Sequence, residues 1–524
     1  MHAVAHAEDW TDEGDGATVE YRCRGSLLLC GPPEAVRPLL SRLPAGLRTV
    51  AVAPGLGGLG RPPALKTLGA RVSRIEGHLG RFRAYGQGSD GELDLGPLST
   101  NRDGLFDLVM DLGDPPLDPR EVPPLGYVRS AGSLAEAVER LEQLARLEGT
   151  VHKPRYFDFD AGLCAHTRQG RTGCRRCLDA CAAGAIDSPG GRITIDPYLC
   201  QGCGGCALVC PTGAVSHRRS AAAPTLAAIA RALDTAPVHP TLVIHADAHP
   251  PTAAAGDMVS LPTAAVAAIG ADTWLGSLAL GAARVVVMTP ADLPLSSRQA
   301  LATEVAAARC LLEGIGCDPN TIHLQNKDDD TPPVSAGATV TPRPSLDVST
   351  LSSAGGKRDR LLVALGHLAH HAPTPARSVG LPAGAPYGRL GMAVERCTLC
   401  LACTVLCPTR ALGAEQGALV LDDGACIQCG LCSDACPEQA LSLLADFDGR
   451  CLASGAAGRR TLKAASEPYP CAACGRPFAS RALVMRGMEH VRDHPMFQGK
   501  GRQLLEMCPE CRQAAATGLA GSPR

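Results

Sequence analysis

Short apolar runs, each the length of one strand, alternate with an amphipathic stretch early in the chain. The runs at 26–30, 49–53 and 106–110 consist mainly of apolar residues, which is typical of strands buried on both faces. Residues 133–147 have the period of a helix and begin with a capping box. We therefore predict an α/β domain over residues 22–150.

The same pattern returns in the middle of the chain. Residues 241–245 and 284–288 are apolar runs, and 272–280 and 296–314 have the composition of packed helices. Parallel strands need crossover connections of this kind, so the pattern predicts a second α/β domain over residues 218–326.

Two polar stretches separate the patterned segments. Residues 327–357 are rich in Asp, Pro, Ser, Thr and Gly, and residues 454–466 are rich in small and basic residues. Such compositions are typical of linkers. A long linker at 327–357 would let the segments on either side of it move independently.

Cysteine spacing adds a specific chemistry to this organisation. The chain has 25 cysteines, most of them in C-x2-C groups. Residues 397–437 contain two C-x2-C-x2-C-x3-C-P runs, in which three thiolates wrap one [4Fe–4S] cluster and the fourth ligates its neighbour. A disulfide framework is the alternative, but a chain of this length does not need one. The spacing predicts two ligand sets, namely Cys397, Cys400, Cys403 and Cys436, and Cys426, Cys429, Cys432 and Cys407.

An internal repeat carries the same pattern 226 residues earlier. Arg171 stands there in the place of Cys397, and Ala182 replaces the usual proline. Cys164, on a longer loop, is the candidate for the missing ligand. The alternatives are a three-thiolate [3Fe–4S] site, or a site completed by solvent or by His166. With Cys164 included, the predicted sets are Cys164, Cys174, Cys177 and Cys210, and Cys200, Cys203, Cys206 and Cys181.

Both segments resemble the two-cluster bacterial-type ferredoxin domain. The resemblance implies two short hairpins and two helical turns around two neighbouring [4Fe–4S] clusters, and we place the domains at 151–217 and 391–445. The alternating stretch 418–422, preceded by a turn at 415–417, agrees with one of these hairpins.

The last cysteines form a separate group in residues 468–515. Two C-x2-C knuckles joined by a long insert resemble a zinc ribbon, which implies one structural Zn in a closed tetrahedral site. A rubredoxin-like iron site is the alternative, with His490 and His494 as further ligand candidates. The predicted metal ligands are Cys471, Cys474, Cys508 and Cys511.

Charge and hydropathy exclude other classes of function. Lys plus Arg number 50 and Asp plus Glu 52, so no basic surface for nucleic acid is predicted. Residues 1–21 are acidic and polar, unlike a signal peptide, and the apolar stretch 263–288 is interrupted by Asp272 and Arg284. We therefore expect no membrane span. We also expect a cytoplasmic protein, because the cytoplasm keeps cysteine thiols reduced.

A glycine pattern near the N-terminus raises the question of a nucleotide. Residues 55–60 read G-x-G-x-x-G after a strand, with Glu76 placed for a ribose contact. Pro62 and Pro63, however, fall where the phosphate-binding helix should run. The pattern therefore favours a glycine loop over a dinucleotide site. Four aspartates flank the nearby strand, namely Asp103, Asp107, Asp111 and Asp114, and we expect solvated strand ends rather than a catalytic pair.

Taken whole, the chain resembles the multidomain 4Fe-4S binding proteins of proteobacteria that are associated with formate dehydrogenase or other molybdoenzymes. The stretch 261–287 resembles the delta subunit of methyl-viologen-reducing hydrogenases. These resemblances imply an electron carrier that passes electrons through four [4Fe–4S] clusters to or from a partner oxidoreductase, without catalysis of its own. The alternatives are a flavin- or NAD-linked oxidoreductase subunit and a metalloenzyme assembly factor. In fold class we expect α+β and α/β units with two ferredoxin domains and a C-terminal zinc-ribbon-like module that carries four cysteines.

Overall fold

The structure is a computed structural model. It describes residues 18–56, 65–88, 91–129, 132–168, 170–236, 240–247, 258–326, 344–415, 417–453, 460–498 and 500–517. Gly57, Gly60, Pro62 and Pro63 of the predicted glycine loop lie outside the described residues, as does most of the predicted linker, 327–343.

The N-terminal unit is built on a sheet of five parallel strands. In spatial order these are Leu65–Leu68, Arg48–Val52, Ser26–Cys30, Leu108–Asp111 and Tyr127–Arg129. Because successive side chains of a strand point to opposite faces, Leu27 and Leu29 pack on the helix Leu134–Ala145, while Leu28 and Cys30 belong to the core of the other face. An antiparallel ribbon covers that other face, with strands Arg71–Glu76, Arg83–Gly88 and Gly91–Asp94.

Of the four aspartates that flank the strand Leu108–Asp111, Asp107 and Asp111 are buried, so the expectation of solvation was wrong for these two, whereas Asp103 and Asp114 are exposed. Asp107 accepts hydrogen bonds from the backbone N–H groups of Arg24 and Ser26, both at 2.9 Å. Asp111 accepts from the hydroxyl of Tyr127 at 2.5 Å. Both carboxylates therefore satisfy hydrogen-bond donors near the strand ends, which is a structural role. A position at the end of a strand does not by itself indicate whether an aspartate has this role or is solvated.

A short helix and an antiparallel strand pair also belong to this unit. The helix Pro33–Val36 follows the central strand, and the strands Thr18–Cys23 and Gly149–Pro154 form an antiparallel pair. The second strand of that pair crosses the boundary predicted at 150–151, so Lys153 belongs to the N-terminal unit, and its Nζ bonds carbonyl oxygens of the neighbouring unit.

The middle unit is a sheet of four parallel strands with helices packed on one face. The strands in spatial order are Met258–Thr263, Thr241–Ala246, Arg284–Thr289 and Ile322–Asn326. The helices are Ala222–Asp234, Ala271–Ala279, Leu295–Gly314, Val348–Ser353 and Lys357–His370. Leu242, Ile244, Val285 and Val287 face these helices, whereas Val243 and Val286 form a smaller cluster on the opposite face. The predicted helices and parallel strands are present here.

Both ferredoxin-type units consist of short antiparallel pairs and short helices. The first unit has the pairs Phe157–Phe159 with Val215–His217, Ile186–Asp187 with Thr194–Ile195, and Thr167–Arg168 with Arg171–Thr172, and the helices Arg176–Asp179 and Gly205–Val209. The second has Arg389–Met392 with Leu441–Leu444, Leu412–Glu415 with Ala418–Asp422, and Ser378–Gly380 with Asp446–Asp448, and the helices Ala402–Leu406, Leu431–Asp434 and Arg450–Ala453. The hairpin predicted at 418–422 is confirmed.

Parts of both predicted linkers are structured, so the linker prediction was wrong there. Val348–Ser353 is a helix whose Leu351 is fully buried in the core of the middle unit. Arg460–Ala465 is a strand that pairs with Ala418–Asp422 and buries Ala464. Each segment buries few apolar side chains, which is why its composition reads as a linker.

The C-terminal module is small and mainly helical. It contains the strand pair Pro468–Pro470 with Pro477–Ser480 and the helices Arg481–His490, Lys500–Leu505 and Pro509–Ala516. Ser480 donates from its hydroxyl to the carbonyl oxygen of Thr398 at 2.5 Å, and Arg486 pairs with Glu438 at 3.1 Å. The module therefore rests on the second ferredoxin-type unit.

The middle unit supports both ferredoxin-type units. Gly205 of the first ferredoxin-type unit packs closely on the helix Leu295–Gly314 of the middle unit, because a Cβ at Gly205 would lie 3.0 Å from the hydroxyl oxygen of Ser297. Tyr387 and Phe447 come from the second ferredoxin-type unit, and their side chains are part of the core of the middle unit. Independent motion of the two ferredoxin-type units, expected from the linker, does not agree with this shared packing. Within the part of the chain that the structure describes, no helix combines the length and apolarity needed to cross a membrane.

Candidate metal centres

Four cavities of similar size lie in the ferredoxin-type units, and each is lined by four cysteines. In the first unit, one site is lined by Cys181, Cys200, Cys203 and Cys206, and we call it the first outer site. The other, which we call the first inner site, is lined by Cys164, Cys174, Cys177 and Cys210. In the second unit, the second inner site is lined by Cys407, Cys426, Cys429 and Cys432, and the second outer site by Cys397, Cys400, Cys403 and Cys436. The empty space at these sites, which includes part of the adjoining solvent, is about 440, 340, 360 and 390 Å³ in that order. Four thiols around one largely apolar space are the donor set that a [4Fe–4S] cluster needs.

The loops between the cysteines bend through left-handed backbone conformations. In the regular second unit these residues are Leu399, Leu401, Gln428 and Gly430, with φ of 53°, 61°, 53° and 83°. In the first unit Gly202 and Gly204 have φ of 72° and 86°. These left-handed residues follow the first and the second cysteine of a run and curl the loop so that three thiols line one cavity. Glycine adopts this conformation without strain, whereas Leu and Gln have to be held there by the surrounding structure.

The first inner site departs from this geometry. Arg175, the counterpart of Leu401, has φ of −119° and leads directly into the helix Arg176–Asp179. The loop before it runs through the hairpin of Thr167–Arg168 with Arg171–Thr172, and this detour brings Cys164 to the cavity. The residues around Cys174 thus lack the curl that would present a cysteine at position 171, and Cys164 lies where a fourth thiol is needed.

His166, the alternative ligand, is buried, and both of its ring nitrogens have hydrogen-bond partners. Nδ1 lies 2.8 Å from the carbonyl oxygen of Cys174, and Nε2 lies 2.6 Å from the hydroxyl of Ser188. The imidazole therefore ties the inserted loop to the cysteine loop. This arrangement favours a positioning role for His166 over metal ligation.

Each fourth cysteine of a run has a hydrogen-bonding group at its sulfur. The backbone N–H groups of Ala185 and Ala440 donate to the sulfurs of Cys181 and Cys436 at 3.2 and 3.3 Å. The hydroxyls of Thr212 and Thr409 lie 3.6 and 3.7 Å from the sulfurs of Cys210 and Cys407. Donors to cluster sulfurs stabilise the negative charge of the ligands and raise the reduction potential.

Two buried cations approach the cysteine loops from outside the ferredoxin-type pattern. Lys153 donates from Nζ to the carbonyl oxygens of Tyr198 and Cys200 at 2.9 and 2.7 Å, and only 1% of the residue is exposed. Burial lowers the pKa of Lys153 to about 8, with the Cys200 and Asp196 side chains acting in the opposite direction. The ammonium group is therefore predominantly protonated at neutral pH, beside the first outer site.

Arg358, on the helix Lys357–His370 of the middle unit, has the corresponding place beside the second ferredoxin-type unit. Its Nη2 donates to the carbonyl oxygen of Cys426 at 3.1 Å and to that of Pro386, and its guanidinium lies 4.6 Å from the ring centre of Tyr387. Cys426 is the counterpart of Cys200 in the repeat. Both units thus place a buried cation at the same backbone carbonyl. Sequence reasoning missed both residues, because no spacing rule connects them to the cysteines.

Burial raises the pKa of several cavity cysteines. The pKa of Cys177 is raised to about 12, with additional contributions from the thiols of Cys210, Cys174 and Cys164. The pKa of Cys429 is raised to about 11, and one of the thiols that contribute is Cys174 of the other ferredoxin-type unit. Since metal ligands are thiolates, assembly of a cluster releases these protons.

The four cysteines of the C-terminal module lie together. All four sulfurs are within 4.8 Å of one another, and those of Cys474 and Cys508 are 3.9 Å apart. A tetrahedral site with Zn–S bonds of about 2.3 Å requires S···S distances of about 3.8 Å. Although burial opposes ionisation of Cys471, backbone N–H donors from Cys508, Cys474 and Ala473 outweigh it and hold the pKa of this thiol at about 6. The residues therefore fit one metal ion.

Comparison with known proteins identifies the two cysteine-rich units. Two family models described as 4Fe-4S dicluster domains match residues 171–214 and 396–441. Cys164 lies outside the first match. The indolepyruvate oxidoreductase subunit IorA of Pyrococcus horikoshii is 49% identical over 50 residues, which are 9% of this chain and 8% of that protein. The match thus spans less than a tenth of that relative. The chain contains two ferredoxin-type 4Fe-4S dicluster domains, and its remaining units lie outside these matches.

Proposed function

We propose that this protein is an electron carrier that passes electrons through four [4Fe–4S] clusters to or from a partner oxidoreductase. The observation that carries the proposal is the set of four cavities, each lined by the four cysteines that the spacing groups together. Such clusters, when bound, accept and release single electrons. The protein itself would hold the clusters with cysteine thiolates, limit the access of water to them, and set their reduction potentials through nearby hydrogen-bond donors and cations.

The partner oxidoreductase is proposed by its class. The similarity to an oxidoreductase subunit covers only 50 residues, so it supports a shared iron–sulfur module rather than a shared substrate. Formate dehydrogenase or another molybdoenzyme is the partner class that the resemblance of the whole chain implies. In the C-terminal module we propose a structural Zn, held by the four cysteines that lie within 4.8 Å of one another.

Stopped-flow reduction of anaerobically purified protein tests the proposal. We expect dithionite to bleach the visible cluster absorbance rapidly, while NADH, NADPH and formate cause no bleaching with the isolated chain. Addition of the partner oxidoreductase and its substrate should then reduce or reoxidise the clusters. Rapid bleaching by NADH or NADPH alone would replace the carrier with a nucleotide-linked oxidoreductase subunit.

A further inference from the structure

The first and second inner sites approach each other at a contact between the two ferredoxin-type units. Gly173 adjoins Cys174 of the first inner site, and a Cβ at Gly173 would lie only 2.7 Å from Cγ of Leu431. Leu431 is fully buried and lines the cavity of the second inner site. The side chain of Leu431 is therefore packed between the loop of one inner site and the cavity of the other.

A hydrogen bond beside this contact involves the residue that departs from the ferredoxin spacing. Arg171 stands in the place of a cysteine, and its Nη1 donates to the carbonyl oxygen of Asp434 at 3.2 Å. Asp434 ends the helix Leu431–Asp434 of the other unit. Because Cys164 reaches the first inner site by the longer loop, position 171 is available for this contact. The irregular part of the first unit is thus the part that docks on the second.

Three further cations hold the two units in this position. Arg176 of the first unit donates to the carbonyl oxygens of Gly384 and Ala385, which lie between the strands Ser378–Gly380 and Arg389–Met392 of the second unit. Lys357 donates to the carbonyl oxygens of the helix Gly205–Val209 in the first unit, at 3.0 and 2.5 Å. Its neighbour Arg358 bonds the Cys426 carbonyl in the second unit. The first residues of the helix Lys357–His370 therefore form hydrogen bonds with both ferredoxin-type units.

We propose that the contact formed by Arg171, Gly173, Leu431 and Asp434 is an electron crossing that joins the two inner sites, so that the four sites form a single path. This inference rests on the proposed function. The step transfers one electron from the group held at one inner site to the group held at the other, so the first is oxidised and the second is reduced, and no bond or proton changes place. The two outer sites then become the ends of the path, and Cys400 of the second outer site is exposed to solvent.

Spectroscopy of the full chain tests the crossing. In the double variant Cys203→Ala/Cys403→Ala, each outer site keeps three thiols and holds at most a [3Fe–4S] cluster, so that the two inner sites are the ones that hold [4Fe–4S] clusters. After reduction by dithionite, we expect its electron paramagnetic resonance spectrum to be broadened or split by spin–spin interaction between these two clusters. The spectrum of the double variant should differ from the sum of the spectra of two triple variants. One of these adds Cys177→Ala to the double variant, and the other adds Cys429→Ala. A spectrum equal to that sum would overturn the proposal.

A second measurement applies if the double variant does not retain its iron. Cys177→Ser and Cys429→Ser each alter one inner site in an otherwise unchanged chain, because serine oxygen replaces one sulfur ligand. We expect Cys429→Ser to change the signal of the first inner site, and Cys177→Ser that of the second. Changes confined to the substituted unit in both variants would overturn the crossing. Absence of any reduction by dithionite would instead contradict the proposed function itself, so the two failures are distinguishable.

Discussion

Lys153 donates a hydrogen bond from Nζ to the carbonyl oxygen of Cys200 at 2.7 Å, although the two residues belong to different units of the chain. The equivalent carbonyl in the second ferredoxin-type unit, that of Cys426, accepts from Arg358 at 3.1 Å. Both cations are buried. A positive charge in a poorly solvated position favours the reduced, more negative state of a neighbouring redox group. These two residues are therefore candidates for setting potentials in the two units.

Replacing Lys153 should make the reduction potential of the first outer site more negative. Met keeps the length of the side chain but removes the charge, so Lys153→Met destabilises the reduced state. We expect a shift on the order of 60 mV, which corresponds to a tenfold change in a one-electron equilibrium. A redox titration followed by electron paramagnetic resonance measures it. Lys66→Met, at an exposed residue of the N-terminal sheet, is the matched control. Unchanged potentials in Lys153→Met would refute this role.

The metal content follows from the partition of the cysteines. Four cubane clusters and one tetrahedral site require about sixteen Fe, sixteen sulfide and one Zn per chain. Metal analysis of protein purified and reconstituted without oxygen measures these amounts. An iron content that levels off near eight would exclude two of the four clusters.

Cys164 is the ligand that the regular spacing does not supply. We expect Cys164→Ala to convert the first inner cluster to [3Fe–4S] or to lose it, because only three thiols would remain at that site. Electron paramagnetic resonance of the oxidised protein and the iron count both report this change. Cys310→Ala, on the long helix of the middle unit, is the control and should leave both unchanged. An unaltered Cys164→Ala spectrum would show that Cys164 is not a ligand.

The metal of the C-terminal module should be separable from the clusters. We expect Cys474→Ser to lose the Zn and to loosen the module, since structural Zn supplies much of the folding energy of such small units. The iron content should stay at the wild-type value, because none of the four cavities contains a cysteine of this group. Hydrogen exchange of residues 468–517 gives an independent readout. Loss of iron together with Zn would contradict this separation.

Cysteine spacing carries most of the information about the sites, because the chemistry of a cubane cluster dictates it. The four sets grouped by spacing are the four that the structure brings together around cavities. Lys153 and Arg358 could not be found this way, since they lie 47 and 68 residues from the carbonyls they bond. The docking of the two ferredoxin-type units was also missed. It depends on Gly173 and Arg171 fitting the surface of a helix far along the chain, and no local pattern encodes that fit.

Gly204 and Gly430 occupy equivalent positions in the two units but have different surroundings. Both are left-handed, with φ of 86° and 83°. A Cβ at Gly204 would lie 2.6 Å from the backbone nitrogen of Ala268 and 2.8 Å from the carbonyl carbon of Ala267, whereas a Cβ at Gly430 would meet nothing within 4 Å. A contact with backbone cannot be relieved by a change of rotamer. Alanine at Gly204 must therefore displace either the cysteine loop or the turn of the middle unit.

We therefore expect Gly204→Ala to lose the cluster of the first outer site, about four Fe per chain. Gly430→Ala should keep its full iron content and lose only about 1–2 kcal/mol of stability, the cost of a left-handed alanine. Iron analysis and chemical denaturation of the two variants, side by side, separate backbone strain from steric conflict. Equal iron contents in the two variants would mean that the first outer site does not depend on close packing against the middle unit. Loss of iron in Gly204→Ala alone would instead show that the middle unit supports this cluster directly.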